Sequence, residues 1–295
     1  MKYTGSLAYG NAACIEASIR NYYDKKTDNG KHYVMEAMYP KNREEILNTL
    51  NKLKKEFKFE LILLDKNDGY RMNLLKFLQH VKPSPEDLIL LSNLDGIVLT
   101  TGYDKEMFSI LTKYSDVTSL RLNRAFRSED IKTHEENITA INPSKLSEVE
   151  FMLKVTGAVA AFRFDLEFLK STSINAINKE INTSLFQQAL TQSGYKVCIV
   201  NNMYEVIDPF IRMEDPEYLL YKRIIYHTDQ GVSIGSFEKF LSSNKTYAEN
   251  KAWYDSIYVK LTGKTYSDYV ASFPEPLWSW SHSILPRTIV KIYER

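Results

Sequence analysis

Cysteine and glycine are both scarce in this chain of 295 residues, with 2 and 11 copies. The glycines form neither a Walker-type phosphate loop nor a G-x-G-x-x-G turn, which disfavours P-loop kinases and dinucleotide enzymes. Cys14 and Cys198 each sit in an apolar run and read as buried thiols, with no disulfide framework or zinc site around them. Long apolar runs are missing too. Nothing approaches the roughly 20 residues of a membrane span, and Met1-Lys2-Tyr3-Thr4-Gly5 lacks the charged lead and apolar core of a secretory signal. The expectation is a cytoplasmic protein with no membrane span. Charge of one sign is also lacking: 38 Lys and Arg against 37 Asp and Glu leave +1. That balance argues against a general nucleic-acid coat protein and leaves room for a local basic patch. His227 and His282 stand without metal-site spacing, and His134 reads as a solvated loop residue.

What is present is strand–helix alternation. Strands are expected at residues 3–9, 31–38, 59–64 and 88–91, and helices at 12–23, 42–57, 73–81 and 104–114. The clearest helix carries Ile46, Leu50, Leu53 and Phe57 on one stripe. Such alternation implies an α/β sandwich with a mostly parallel sheet flanked by helices. Ligands of these sheets bind beyond the carboxyl ends of the strands, which points to the loops 9–11, 65–70 and 92–96. Residues 121–147 are polar and read as a long functional loop, and the apolar stretch 151–164 as a strand crossing the site. A helix over 185–192 ends at Gly194 and leads into a strand at 195–200. Near residue 214 the composition shifts, so the division expected is a catalytic domain at 1–213 and a C-terminal helical, aromatic-rich extension at 214–295.

The apolar strand 88–91 runs directly into Ser92-Asn93-Leu94-Asp95-Gly96. A carboxylate at such a strand end can hold Mg²⁺ or Mn²⁺ against a diphosphate, because hard cations take oxygen ligands. Asn and Asp are also common turn formers, so the segment by itself leaves a plain strand-end turn open. Other motifs stand around it in a particular order. Ala8-Tyr9-Gly10-Asn11 opens the chain, and Asn67-Asp68-Gly69-Tyr70-Arg71-Met72-Asn73 lies upstream. Gly102-Tyr103-Asp104, Thr156-Gly157-Ala158 and Ser193-Gly194-Tyr195-Lys196 follow. In order and spacing they resemble the family-2-type glycosyltransferases of the GT-A fold, over roughly residues 3–205.

The resemblance implies a GT-A-like domain that moves a sugar from a nucleoside diphosphate sugar, UDP-type first, to a hydroxyl. It implies inversion and dependence on Mn²⁺ or Mg²⁺. It assigns Tyr9, Asn11, Glu36, Asn67 and Asn93 to the nucleotide, Asp95 to the metal, and Asp208 to a second metal-ligand position. The chain departs from the family pattern in three places. Glu36 stands where the family has Asp, Asn93 replaces the first acid of the diphosphate motif, and Glu180 is the one local carboxylate for a catalytic base before the helix 185–192. Asp165 and Glu167 are the alternatives for the base, and a retaining mechanism is the alternative to inversion.

Arg121, Arg124 and Arg127 recur every three residues, as a phosphate clamp or a solvated basic face would, and Arg124 is assigned to the donor. Trp278 and Trp280, with Trp253 and Tyr254, suit sugar or base stacking, or packing of the extension. The acceptor is read as a surface glycan or a hydroxymethylated DNA base. A non-catalytic nucleotide- or glycan-binding module is the rival from another class, motivated by Asn93 and the missing acidic pair.

Overall fold

The computed structural model describes residues 1–8, 12–36, 43–65, 70–94, 96–125, 127–142, 145, 158–164, 194–207 and 249–265. By its internal contacts the chain divides into two compact units, one of Met1–Ala125 with Ile131–Ile207 and one of Phe126–Asp130 with Asp208–Arg295.

The first unit is α/β. Its strands are β1 (Lys2–Ala8), β2 (Lys31–Glu36), β3 (Glu60–Leu63), β4 (Leu88–Asn93), β5 (Gly96–Val98), β6 (Val117–Arg124), β7 (Ile138–Ala140), β8 (Val159–Arg163) and β9 (Lys196–Ile207). The helices are α1 (Ala12–Lys25), α2 (Arg43–Glu56), α3 (Tyr70–Val81) and α4 (Tyr103–Lys113). Among the described residues the strands form one sheet in the order β3-β2-β1-β4-β8-β6-β9-β5, with β7 on β9. From β3 to β4 the pairing is parallel. Beyond β4 it is mixed, with β8 antiparallel to both β4 and β6, and β6 parallel to β9.

β4 shows why the sheet sits between helices. Leu88 and Leu90 join the buried cluster with Met107, Phe108 and Leu111 of α4. Ile89 and Leu91 join the opposite cluster with Phe77 and Leu78 of α3. Alternate residues of a strand face opposite ways, so a strand covered on both sides must be apolar throughout. In α2, Ile46, Leu50 and Leu53 are fully buried, and the helix lies against α1.

Three expectations change. α3 begins at Tyr70 and so includes the second half of the Asn67–Asn73 motif. The polar stretch 121–147 is not one loop. It opens inside the buried strand β6 and contains β7, and its middle is strapped to β9: Asn202 exchanges side-chain bonds with the backbone of His134, and the Tyr204 hydroxyl donates to the Lys132 carbonyl at 2.9 Å. Finally, β9 runs on to Ile207, carried past a register shift against β6.

The second unit contains α5 (Lys251–Thr262), which buries Tyr254 and Tyr258 one turn apart and ends at Gly263 with φ 75°. Trp278 and Trp280 lie outside the described residues, and among those described no helix is long and apolar enough to cross a membrane.

His32 on β2 is a buried polar residue of this core. The Tyr23 hydroxyl donates to the Lys58 carbonyl at 2.5 Å, so towards His32 Nδ1, at 3.0 Å, it accepts. Nδ1 therefore carries the proton, and Nε2 accepts from the Ser6 hydroxyl at 2.9 Å. Burial, then the nearby Lys26 charge, lower its pKa to about 3. The unfolded state binds this proton near pH 6.5 and the folded state does not until about pH 3, so His32 adds stability above the first value that is lost as pH falls toward the second. In urea unfolding between pH 6 and pH 4, the slope of stability against pH should be shallower in His32→Phe by up to about 1.4 kcal/mol per pH unit. Equal slopes would contradict a neutral, buried His32.

Candidate functional site

The parallel half of the sheet brings three strand ends together. Ala8 stands opposite Glu36, Glu36 opposite Leu63, and Leu7 opposite Asn93. The carboxyl ends of β2, β1 and β4 thus lie side by side, where an open α/β sheet takes its ligand.

Glu36 is fully buried there. Its Oε2 accepts from Arg43 at the start of α2, with Nε at 3.2 Å and the nearer terminal nitrogen at 3.1 Å. Arg43 also donates to the Leu64 carbonyl at 3.2 Å, and the Leu64 N–H returns to the Glu36 carbonyl at 3.1 Å. The second carboxylate oxygen, Oε1, is buried and has no hydrogen-bond partner among the described residues. A buried polar atom left unsatisfied costs on the order of 1–3 kcal/mol, so it is seldom kept without a use. Oε1 is thus a buried acceptor on a carboxylate that Arg43 holds by its other oxygen.

The turn after β4 is gripped from several sides. The Asn93 N–H donates to the Ala158 carbonyl at 2.8 Å. Leu94 buries its side chain while its N–H approaches the Leu7 carbonyl at 3.4 Å. From α1, the Ser18 hydroxyl donates to the Gly96 carbonyl at 3.2 Å. The Asn21 amide replaces a strand neighbour for Val98, donating to its carbonyl at 2.9 Å and accepting its N–H at 2.7 Å. Ser18 and Asn21 are three residues apart, so they share one face of α1. That pair of small polar residues beside the apolar Ile15 and Ile19 was the available sequence signal for this clamp. Gly96 admits no side chain, because a Cβ there would lie 2.1 Å from the Ala158 Cβ.

Behind the turn sits a buried charged group. Glu205 on β9 is opposite Val98 on β5 and Arg124 on β6. Its carboxylate accepts the N–H groups of Ala158 and Val159 at 3.1 and 3.0 Å. Burial pushes its pKa up to about 7, against the pull of Arg121, the two N–H bonds and Arg124. Arg121 is fully buried in β6, so it belongs to this internal group and offers no solvent-facing clamp. Arg127 is exposed and pairs with Asp130 at 3.1 Å.

Asp104 has a structural duty. Buried at the first turn of α4, it accepts the N–H groups of Thr27 at 3.0 Å and Asp28 at 2.9 Å and so fixes the α1–β2 connection. Gly102, at φ 79°, lets the chain pass close enough for its N–H to reach the Lys25 carbonyl at 2.7 Å.

Of the residues assigned from sequence, Glu36 and Asn93 therefore stand at the ends of β2 and β4, on either side of β1, and Arg124 lies beside Glu205. Tyr9, Asn11, Asn67, Asp95, Glu180 and Asp208 lie outside the described residues, as do Asp165 and Glu167. Sequence reasoning missed Glu205, Ser18 and Asn21.

No protein-family model and no curated protein matches the sequence. Solved structures do. The mannosyltransferase PcManGT from Pyrobaculum calidifontis, solved with GDP-Man and Mn²⁺, matches at TM-score 0.52 and 12% identity, over 99% of this chain and 82% of that one. GalNAc-T7, solved with UDP, GalNAc and Mn²⁺, matches at TM-score 0.50 and 10% identity, over 94% of this chain and 58% of that one. At these identities the likeness concerns the fold: the chain is a mixed α/β protein with the GT-A architecture of glycosyltransferases.

The Gly96–Ala158 contact yields a packing prediction. Gly96→Ala should destabilise the protein by about 1–3 kcal/mol in urea unfolding, as overpacked sites do. Adding Ala158→Gly to that variant should recover part of the loss. No recovery in the double variant would show that the two residues do not share this contact.

Proposed function

We propose that this protein is a glycosyltransferase that moves a sugar from a nucleoside diphosphate sugar to an acceptor hydroxyl. The observation that carries the reading is Glu36 Oε1. It is a buried, unpartnered acceptor at the carboxyl end of β2, beside the ends of β1 and β4, in a fold shared with nucleotide-sugar enzymes. A nucleoside supplies the donors such an atom needs, from ribose hydroxyls or a base N–H. Tyr9, Asn11 and Asn67, on the loops that follow β1 and β3 in sequence, complete the nucleoside contacts in this proposal.

A divalent cation fits the donor set. Asn93, Asp95 and Asp208 are oxygen donors only, the chemistry that Mn²⁺ and Mg²⁺ prefer. Asp95 directly precedes Gly96 in sequence, and Asp208 is kept as the second ligand position that the resemblance implies. When bound, the cation would neutralise charge that develops on the departing diphosphate. The protein's own share is to hold that diphosphate at the Asn93–Gly96 turn and to present the nucleoside to Glu36. Glu180 is the proposed base that takes the proton from the acceptor hydroxyl as it attacks the anomeric carbon with inversion. The acceptor is proposed as a glycan hydroxyl, with a hydroxymethylated DNA base as the other hydroxyl to assay. The division at about residue 213 into a catalytic domain and an extension is part of the same proposal.

A thermal-shift series with UDP, GDP, CDP and ADP, each with and without Mn²⁺, tests this reading. One diphosphate should raise the melting temperature, and more so with Mn²⁺, because a ligand that binds only the native state stabilises it by mass action. In Asp95→Ala the Mn²⁺ increment should vanish, along with metal-dependent hydrolysis of the donor. No shift with any diphosphate would overturn the proposal. Nucleotide binding without turnover on any acceptor would replace the enzyme with a binding module.

A further inference from the structure

Glu205 does something that neither its burial nor its neighbours require. Successive N–H groups along a regular strand point opposite ways. At the entry to β8, however, the N–H groups of Ala158 and Val159 both aim at this one carboxylate, at 3.1 and 3.0 Å. Ala158 then acts on the turn after β4 in two ways. Its carbonyl takes the Asn93 N–H at 2.8 Å, and its Cβ fills the space above Gly96. Glu205 is fixed in turn by its own backbone, whose carbonyl accepts the Ala125 N–H at 3.0 Å, and by its place opposite Val98 and Arg124.

We propose that Glu205 is a positioning residue: through Ala158 it sets the conformation of the Asn93–Gly96 turn and hence the placing of Asp95. The inference rests on the functional reading above only for the consequence that metal and diphosphate binding follow the turn. A carboxylate is the group suited to the task. Its two oxygens satisfy two adjacent N–H groups at once, whereas a glutamine would turn an NH₂ toward one of them. It also supplies negative charge close to Arg121 and Arg124, which a glutamine would withdraw. The residue touches neither nucleotide nor acceptor in this account. It acts through Ala158 on Asn93 and Gly96, the described residues that flank Asp95 in sequence.

The test uses the full-length protein and two variants, Glu205→Gln and Glu205→Asp. Amide hydrogen exchange reads the turn without reference to any activity. In the wild type the amides of Asn93, Ala158 and Val159 should be protected. In Glu205→Gln they should exchange at least tenfold faster, while those of Leu50 and Leu53 in α2 keep their wild-type rates. Free exchange of Ala158 and Val159 in the wild type would overturn the proposal whether or not the variants fold. So would unchanged exchange at Asn93 in a folded Glu205→Gln. Calorimetry supplies the readout that general loosening would not move. The ratio of UDP or GDP dissociation constants without and with Mn²⁺ should fall about tenfold in Glu205→Gln, on top of any loss of metal-free affinity. Glu205→Asp, which keeps both oxygens and the charge, should lie between that variant and the wild type. A ratio equal to the wild-type value in Glu205→Gln would contradict the positioning role. If the wild type itself binds no diphosphate, the functional reading fails, and the exchange data alone decide on Glu205.

Discussion

After β4 the polypeptide turns through Leu94 and Gly96 into β5, and the hold on that turn is the constraint on which the rest of the site depends. Parallel strands deliver their carboxyl ends to one edge of the sheet, but a strand end is only as well placed as the backbone leaving it. Three separate parts of the chain grip this one: Ala158 takes the Asn93 N–H and closes over Gly96, α1 reaches in with Ser18 and Asn21, and the Leu7 carbonyl of β1 meets the Leu94 N–H. Each grip uses hydrogen bonding or close contact within the chain itself. A turn built this way can present oxygen ligands with little reorganisation on binding, which is what an electrostatic site needs.

Two buried glutamates carry different meanings in this fold. Glu205 has both oxygens engaged by backbone N–H groups, with Arg121 and Arg124 for charge. It is satisfied internally, as structural polar groups in a core are. Glu36 is satisfied on one side only, where Arg43 holds Oε2. The contrast separates a carboxylate with both oxygens engaged by the protein from one with a single oxygen engaged, which is the one proposed to meet the nucleoside. The same accounting makes Asp104 structural, because its oxygens are taken by Thr27 and Asp28.

Much of the fold was legible in the sequence where a single face or a continuous run carried the signal. The stripe Ile46-Leu50-Leu53 gave α2 to within a residue or two, and the unbroken Leu88–Leu91 run gave β4 because both of its faces are covered. Asn93 was placed at a strand end by its position after an apolar run, and Glu36 by the family resemblance, since the apolar pattern alone carried that strand on to residue 38. What escaped was polar and buried. β6 contains Thr118, Ser119, Arg121, Asn123 and Arg124, a composition that reads as loop; in the structure Ser119 bonds the Ala161 carbonyl, Asn123 bonds the Asn201 carbonyl, and Arg121 stands with Glu205. Such partners lie up to about eighty positions away in sequence, as with Arg121 and Glu205, and periodicity contains no information about them. The spacing-of-three arginines gave no hint of this either: Arg121 is fully buried, and both Arg121 and Arg124 lie near Glu205.

The central claim is that nucleotide and metal meet at the adjoining ends of β1, β2 and β4. Hydrogen exchange of the wild-type protein, compared with and without Mn²⁺ and the preferred nucleoside diphosphate, tests it most directly. The account predicts added protection confined to residues 8–11, 36–43 and 93–96, with α5 and the β3 edge unchanged. Protection that appears elsewhere, with those three strand ends unaffected, would contradict it.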